Sequence, residues 1–215
     1  MEKHLYDIFA NKYYRGGTIY FYSDPHFGDE EMKYIRKNYI GDEEQIKRIN
    51  RKVSRNDTII FLGDIGNIEC VRKIRGYKVL IMGNHDKGAS NYKRVIKREP
   101  ISDEKGVYLS TSHIVEDNHL FDEVYEGALM ISNKIILSHE PIKDLPPFMF
   151  NIHGHDHSGW FDEGDGNHFN VCAEHIDYTP VSINDIVKVG KLKNVQDIHR
   201  IAIDHQIERK AEKGE

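Results

Sequence analysis

Thr58–Asp64 reads TIIFLGD, and Lys78–Asp86 reads KVLIMGNHD. Each is a short apolar run broken by glycine and then by side chains that can ligate a metal. A run without polar alternation predicts a strand buried on both faces, as in a parallel sheet covered on each side. Upstream, Thr18–Ser23 (TIYFYS) has the same character and runs into Asp24-Pro25-His26. Between the strands, Asp42–Ser54 predicts a helix, with Ile46, Ile49 and Val53 at helical spacing and Asp42 as its cap. Asn67–Arg75 reads as helical and stops near Gly76. Strands alternating with helices favour a parallel sheet with right-handed crossovers.

Further along, Asn91–Arg98 reads as a short basic helix ended by Pro100. Ala128–Ser132 and Lys134–Ser138 read as a hairpin turning at Asn133, the second strand ending at His139. Phe150–His153 and His168–Ala173 are further strands, with a loop rich in Gly, Asp and His between them. This closer spacing suits a second, mixed sheet packed on the first. Ser182–Val189 and Val195–Lys210 read as helices, the latter with Val195, Ile198, Ala202 and His205 near one packing stripe, before a frayed tail. No repeat and no Pro/Gly/Ser-rich linker divides the chain, so residues 1–215 read as one α/β domain.

Composition narrows the chemistry. The 30 Lys and Arg against 35 Asp and Glu leave a net charge of −5, which disfavours broad nucleic-acid binding. There are 13 histidines but only 2 cysteines, Cys70 and Cys172, too few for a disulfide framework and too far apart for a thiolate zinc site. No apolar run approaches a membrane span, and Met1–Gly17 lacks the apolar centre of a signal peptide. A cytoplasmic protein with no membrane partner is the simplest reading.

Strand after strand ends in a metal-ligand residue type: Asp24 and His26, Asp64, Asn84 with His85, His139, then His155 and His157. In an open α/β sheet, sites gather beyond the carboxyl ends of strands, so these residues can converge. Imidazole and oxygen donors without thiolates suit Mn, Fe, Zn or similar divalent ions. Seven side chains exceed the needs of one centre, whereas two ions sharing a bridge use them all. A carboxylate bridges best, and Asp64 lies between the flanking groups in sequence.

These motifs resemble the calcineurin-like metallophosphoesterase superfamily. Its pattern stands here as Asp24-Pro25-His26, Gly63-Asp64, Gly83-Asn84-His85-Asp86, His139 and Gly154-His155-Asp156-His157. The resemblance implies a four-layer α-β-β-α sandwich and hydrolysis of a phosphate mono- or diester. It implies one divalent ion on Asp24, His26, Asp64 and His157, and a second on Asp64, Asn84, His139 and His155. Manganese is the first choice, with Fe, Zn, Ni or Co as alternatives. A metal-activated hydroxide would attack phosphorus in line, His85 would assist the leaving oxygen, and Asp86 would orient the His85 imidazole. Two divalent ions against the Asp24 and Asp64 carboxylates would leave the site at about +2, an anion trap inside an acidic shell. The expected partner is a phosphate ester, nucleotides included.

Departures narrow the subgroup. Ser/Thr protein phosphatases of the superfamily continue Gly-Asp with Asp-Arg-Gly, where this chain has Ile65-Gly66-Asn67. Purple acid phosphatases carry a tyrosine three residues after that Asp, where this chain has Asn67. What remains resembles the small, compact bacterial and phage phosphoesterases, which Asn170-Val171 and Tyr178-Thr179-Pro180-Val181-Ser182 also match. Two other readings use the same chemistry or the same site: a nuclease, which predicts a basic groove, and a metal-dependent binding protein without turnover.

Some residues have two readings. The run His153-Gly154-His155-Asp156-His157 is one residue short of the metallo-β-lactamase spacing, and His153 reads as packed rather than as a ligand. His113, His119, His168 and His175 read as ordinary loop or surface histidines rather than cleft residues. Trp160 and Phe161 could stack on a substrate ring, but read as a plug beneath a loop. Lys93, Arg94, Lys97 and Arg98 read as a solvated face rather than an anion guide. Cys172 reads as a small core residue.

Overall fold

The computed structural model describes residues 10, 12–86, 97–103, 106–112, 120–160, 166–192 and 198–213. In chain order the strands are β1 (Ile19–Tyr22), β2 (Thr58–Phe61), β3 (Tyr77–Ile81), β4 (Lys97–Asp103), β5 (Gly106–Ser112), β6 (Glu123–Tyr125), β7 (Leu129–Met130), β8 (Ile135–Leu137), β9 (Phe150–His153), β10 (His168–Asn170) and β11 (Val181–Ser182). The helices are α1 (Met32–Ile35), α2 (Gly41–Lys52), α3 (Ile183–Lys188) and α4 (Ile198–Lys213), with a 3-10 helix at Ile68–Lys73.

Two mixed, mostly parallel sheets carry the fold. The larger has the order β11-β1-β2-β3-β6, in which only the β11–β1 pair is antiparallel. The smaller has the order β10-β9-β8-β7, with β7–β8 as its antiparallel hairpin. The apolar runs of β1, β2 and β3 are continuous because they are buried on both faces, with successive residues alternating between two cores. Phe21, Ile60, Val79 and Ile81 point into one core with Ile135, Leu137, Phe150 and Ile152 of the smaller sheet. Tyr22, Ile59, Phe61 and Leu80 point into the other with Ile46, Ile49 and Val53 around α2. Helix, sheet, core and sheet are thus stacked in that order. The layer expected outside the smaller sheet is not shown by the described residues.

Four local expectations are corrected. Asp42 does not cap α2. The cap position is Ile40, and the Asp42 carboxylate accepts from the Gly28 amide at 2.8 Å, a tertiary contact. The segment after Asp64 is a 3-10 helix rather than an α-helix, opened by Asn67 Oδ1 accepting from the Glu69 amide. Lys97, Arg98 and Pro100 lie in β4 rather than in a helix; residues 91–96, the rest of the expected helix, lie outside the description. A two-stranded ribbon has two edges, so Pro100 can sit in it opposite Leu109 without breaking an inner ladder. In α4, Ala202 and His205 are exposed, so the stripe does not pack as expected; Val195 is outside the description. By contrast, α3 starts as its sequence indicates, with a reciprocal Ser182–Asp185 capping box. Among the described residues no helix is long and apolar enough to cross a membrane.

Candidate metal centre

Parallel strands deliver their carboxyl ends to one edge, and each β-sheet contributes loops there. Asp24 and His26 follow β1, Asp64 follows β2, and Asn84 and His85 follow β3. His139 follows β8, and His155 and His157 follow β9. The loops are stitched by backbone bonds: Asp24 N to Gly63 O at 3.0 Å, His26 N to Asp64 O at 3.1 Å and Gly154 N to His139 O at 2.9 Å. Asp24, His26, Asp64 and His155 all sit at positive φ, between 45° and 65°. Strain of this kind costs energy and persists where surrounding contacts over-determine it. The glycines allow the crowding. Gly63 has φ 99°, and a Cβ there would stand 2.5 Å from His139 Nδ1. A Cβ on Gly154 would collide with Ser23 Oγ and Asp24 Oδ2.

The side chains gather into two adjacent groups, Asp24 with His26 and His157, and Asp64 with His139 and His155; within each, the ligand atoms lie within 4.8 Å of one another. In the first, Asp24 Oδ1 is 3.8 Å from His26 Nε2 and 3.6 Å from His157 Nε2. In the second, His139 Nε2 is 3.4 Å from Asp64 Oδ2 and 3.1 Å from His155 Nδ1. Asn84 joins this group, its Oδ1 lying 2.8 Å from His139 Nε2 and 3.0 Å from His155 Nδ1. Asp64 Oδ2 also lies 3.7 Å from His26 Nε2, so it faces both groups.

Two observations test whether these residues fit divalent ions. Asp24 Oδ1 and His26 Nε2 are buried with no hydrogen-bond partner, a cost native structures avoid unless something else meets the atoms. The donor set is imidazole, carboxylate and amide, which suits borderline divalent ions. Cys172 does not add a thiolate: burial, and then Asp24, push its pKa well up, and its thiol donates to Asp24 Oδ2 at 3.2 Å. Burial pulls His139 down, but the Asp64 hydrogen bond and the Asp24 and Asp64 carboxylates raise it to about 9. Burial likewise opposes charge on His157, and Glu174 and Asp24 outweigh it. For His26 burial wins, and its pKa is lowered. Burial raises Asp64, yet His139 and the His85 amide hold its carboxyl below the usual range.

His85 is exposed at the rim, its ring 5.5 Å from that of His26, and its amide donates to Asp64 Oδ1 at 2.9 Å. The Asp86 carboxylate accepts from the Gly83, Asp64 and Ile65 amides at 2.9, 2.8 and 3.1 Å. It thereby ties together the loops that carry Asp64 and Asn84, work its motif position did not indicate. His153 is fully buried with its ring against that of His168, which is also buried; His168 is thus neither loop surface nor cleft. Trp160 is 67% exposed, so it is no plug. His175 is exposed, while His113, His119, Lys93, Arg94 and Phe161 lie outside the described residues. Sequence reasoning missed Arg36 and Glu174. Arg36 donates to the Asp24 carbonyl at 2.5 Å, and Glu174 meets His157 Nδ1. Neither belongs to a motif; the only signal was a buried charge, which sequence does not display.

Fold and donors together define an α/β protein with two adjoining groups of candidate metal ligands. No family model matches the chain, and no curated protein does. Two solved structures are similar to it. One is a protein of unknown function, AQ665 from Aquifex aeolicus, at 25% identity and a TM-score of 0.56, covering 80% of this chain and 98% of that one. The other is the nuclease MPE from Pseudomonas putida, at 19% identity and a TM-score of 0.40, covering 67% and 64%, a likeness too slight to argue from. The first supports the fold across four fifths of the chain and brings no activity with it.

Proposed function

We propose that this chain hydrolyses phosphate esters with two divalent ions, as a member of the metallophosphoesterase superfamily in its small, compact form. The single observation that carries the reading is Asp64 Oδ2 facing two donor groups, beside the buried Asp24 Oδ1 and His26 Nε2, which have no hydrogen-bond partner. Asp24, His26 and His157 would hold one ion, Asn84, His139 and His155 the other, and Asp64 both. When bound, such ions supply a water acidified enough to act as nucleophile near neutral pH and offset charge on the phosphoryl oxygens.

The chain's own residues do the rest. Asn84 contributes an oxygen without adding negative charge, which keeps the site attractive to an anion. Asp86 fixes the Asp64 and Asn84 loops. His85, exposed at the rim, donates a proton to the leaving oxygen. The Leu62 carbonyl, 2.7 Å from His139 Nδ1, turns the other ring nitrogen toward Asp64. A groove of about 210 Å³ leads away from Asn84 and His139 past Ser138, Glu140, Gly127 and Glu126, and receives the organic part of the ester. Manganese is the ion of choice. A four-layer sandwich over residues 1–215 and a place in the cytoplasm belong to the same reading.

A nuclease is the second reading, and the groove weighs against it. Its described lining carries Glu126 and Glu140 and neither Lys nor Arg, the wrong charge for a phosphate backbone. The test is turnover of bis(p-nitrophenyl) phosphate and p-nitrophenyl phosphate by the metal-stripped chain, with and without added Mn2+. Turnover of either that depends on Mn2+ and vanishes in Asp64→Ala is expected. Turnover of neither, under several metals, would favour a binding protein.

A further inference from the structure

The two donor groups are anchored differently. His139 rests its Nδ1 on a neutral group, the Leu62 carbonyl. His157 rests its Nδ1 on Glu174 Oε1, a carboxylate whose side chain is only 13% exposed. Behind Glu174 stands Arg36, its side chain fully buried, with Nε 3.3 Å from Glu174 Oε2. The same guanidinium reaches back to the loop of the same donor group, to the Asp24 carbonyl at 2.5 Å and the Pro25 carbonyl at 3.4 Å. Gln45 Nε2 adds a second bond to the Pro25 carbonyl at 3.2 Å, and its Oε1 accepts from the buried Tyr22 hydroxyl at 2.9 Å. One buried polar layer therefore holds Asp24, His26 and His157 from behind, whereas the other group's loops are braced through backbone amides by Asp86 and its His139 rests on a carbonyl.

We propose that Glu174 is a positioning residue for His157, and that with Arg36 it makes the Asp24–His26–His157 subsite the tighter of the two. The inference rests on the dinuclear reading above. A carboxylate on Nδ1–H fixes the tautomer that leaves Nε2 free to ligate, and also strengthens that nitrogen as a donor. A carbonyl fixes the tautomer without adding charge. The ligands differ in the same sense: Asp24 serves the first subsite alone, where the second has the Asn84 amide. A buried carboxylate would be costly unpaired, and the Arg36 charge offsets part of that cost, although Arg36 Nε and Glu174 Oε2 complete no hydrogen bond with each other, while the guanidinium restrains the left-handed turn at Asp24 and His26. Loss of a partner of this kind typically weakens a metal site about 10–100-fold.

The experiment is Mn2+ binding to the metal-stripped chain by calorimetry, with ion content after dialysis as a second readout. Glu174→Gln keeps the shape and an acceptor oxygen but loses the charge. In a His139→Ala background, which retains the Asp24 subsite, Glu174→Gln is expected to weaken the remaining ion about 10-fold and Glu174→Ala about 100-fold. In a His157→Ala background, where the ring that Glu174 orients is gone, Glu174→Gln should change affinity less than about twofold. Equal weakening in both backgrounds would mean a general structural role and would overturn the inference, as would weakening in neither. Should Glu174→Gln fold poorly, Arg36→Lys keeps the buried charge without the guanidinium fork and must weaken the ion only in the His139→Ala background. A wild-type chain that binds no Mn2+ overturns the dinuclear reading and this inference with it. A wild-type chain that binds two ions of equal affinity, unaffected by Glu174→Gln, overturns the inference alone.

Discussion

Where β2, β3 and β6 begin, the larger sheet buries carboxylates and satisfies them. Glu123 accepts from Tyr13, Tyr77 and Tyr125 hydroxyls at 2.7, 2.6 and 2.6 Å and from Lys12 Nζ at 2.8 Å. Asp57 accepts from the Thr18 and Ser54 amides, each at 2.6 Å. At the opposite, carboxyl ends of the strands, Asp24 and Asp64 are as deeply buried, yet Asp24 Oδ1 and His26 Nε2 have no hydrogen-bond partner, and four candidate ligands stand in left-handed backbone. Burial alone therefore does not distinguish structure from function; the difference lies in whether the polar atoms close on one another. A closed network stabilises the chain. An open, strained one holds unmet capacity for a ligand.

Replacing one carboxylate at each end breaks or upholds this contrast. Asp64→Ala should remove both ions and lower turnover at least about 10³-fold, since Asp64 faces both groups. Ion content and turnover measured together decide it; one ion held at unchanged affinity would refute the bridging role. Glu123→Ala should leave ion content per folded chain unchanged and instead cost about 1–3 kcal/mol or more in urea unfolding, because three hydroxyls lose their acceptor while half-exposed Lys12 turns to water. Glu123→Ala losing ions would collapse the distinction between the ends. Burial raises the Glu123 pKa, but its four partners outweigh this and hold it below 4.5. A carboxylate depressed on folding contributes stability above its unfolded pKa and loses it as pH falls through the folded value. Glu123→Gln should therefore flatten the acid limb of the stability profile below about pH 4.5.

Within the open end, His85 separates binding from chemistry. His85→Ala should lower turnover about 10²–10³-fold while ion content stays at the wild-type value, since the ring sits at the rim and loss of a general acid typically costs that much. Full activity in His85→Ala would remove it from the leaving-group role.

How far the sequence reached follows from the same contrast. β1, β2 and β3 were legible because they are buried on both faces, which leaves a continuous apolar run, and β7 and β8 because they turn at Asn133; β5, β6 and β11 were not read, since they carry no such run. The donor groups were legible because parallel strands put successive strand ends at one edge. What escaped depended on tertiary contact. Asp42 looks like a cap and is engaged by Gly28. Pro100 looks like a helix end and stands in a ribbon that tolerates it. Ala202 and His205 keep helical spacing yet face solvent. Arg36 and Glu174 are solitary charges whose burial and pairing arise only when β1, the loop after β10 and the short α1 meet.

The smallest effect expected is on pH, and it has opposite signs at the two ends. His139 is raised from 6.5 to about 9 in the ion-free chain, chiefly by Asp64 and Asp24 against its burial. A group raised on folding contributes stability that is complete below its unfolded pKa and lost as pH climbs through the folded one. The ion-free chain should therefore lose stability between about pH 6.5 and 9, whereas Glu123 and Asp57 make it lose stability on the acid side. Bound ions need a neutral imidazole, so each must displace that proton, and Mn2+ affinity should rise up to about tenfold per pH unit across the same window. Melting curves with and without Mn2+ from pH 6 to 9 read both trends at once. The stabilisation by Mn2+ must widen as pH rises; a gap that stays constant would mean that no proton leaves when the ion enters, and that the carboxylates do not hold a proton on His139 in the ion-free chain.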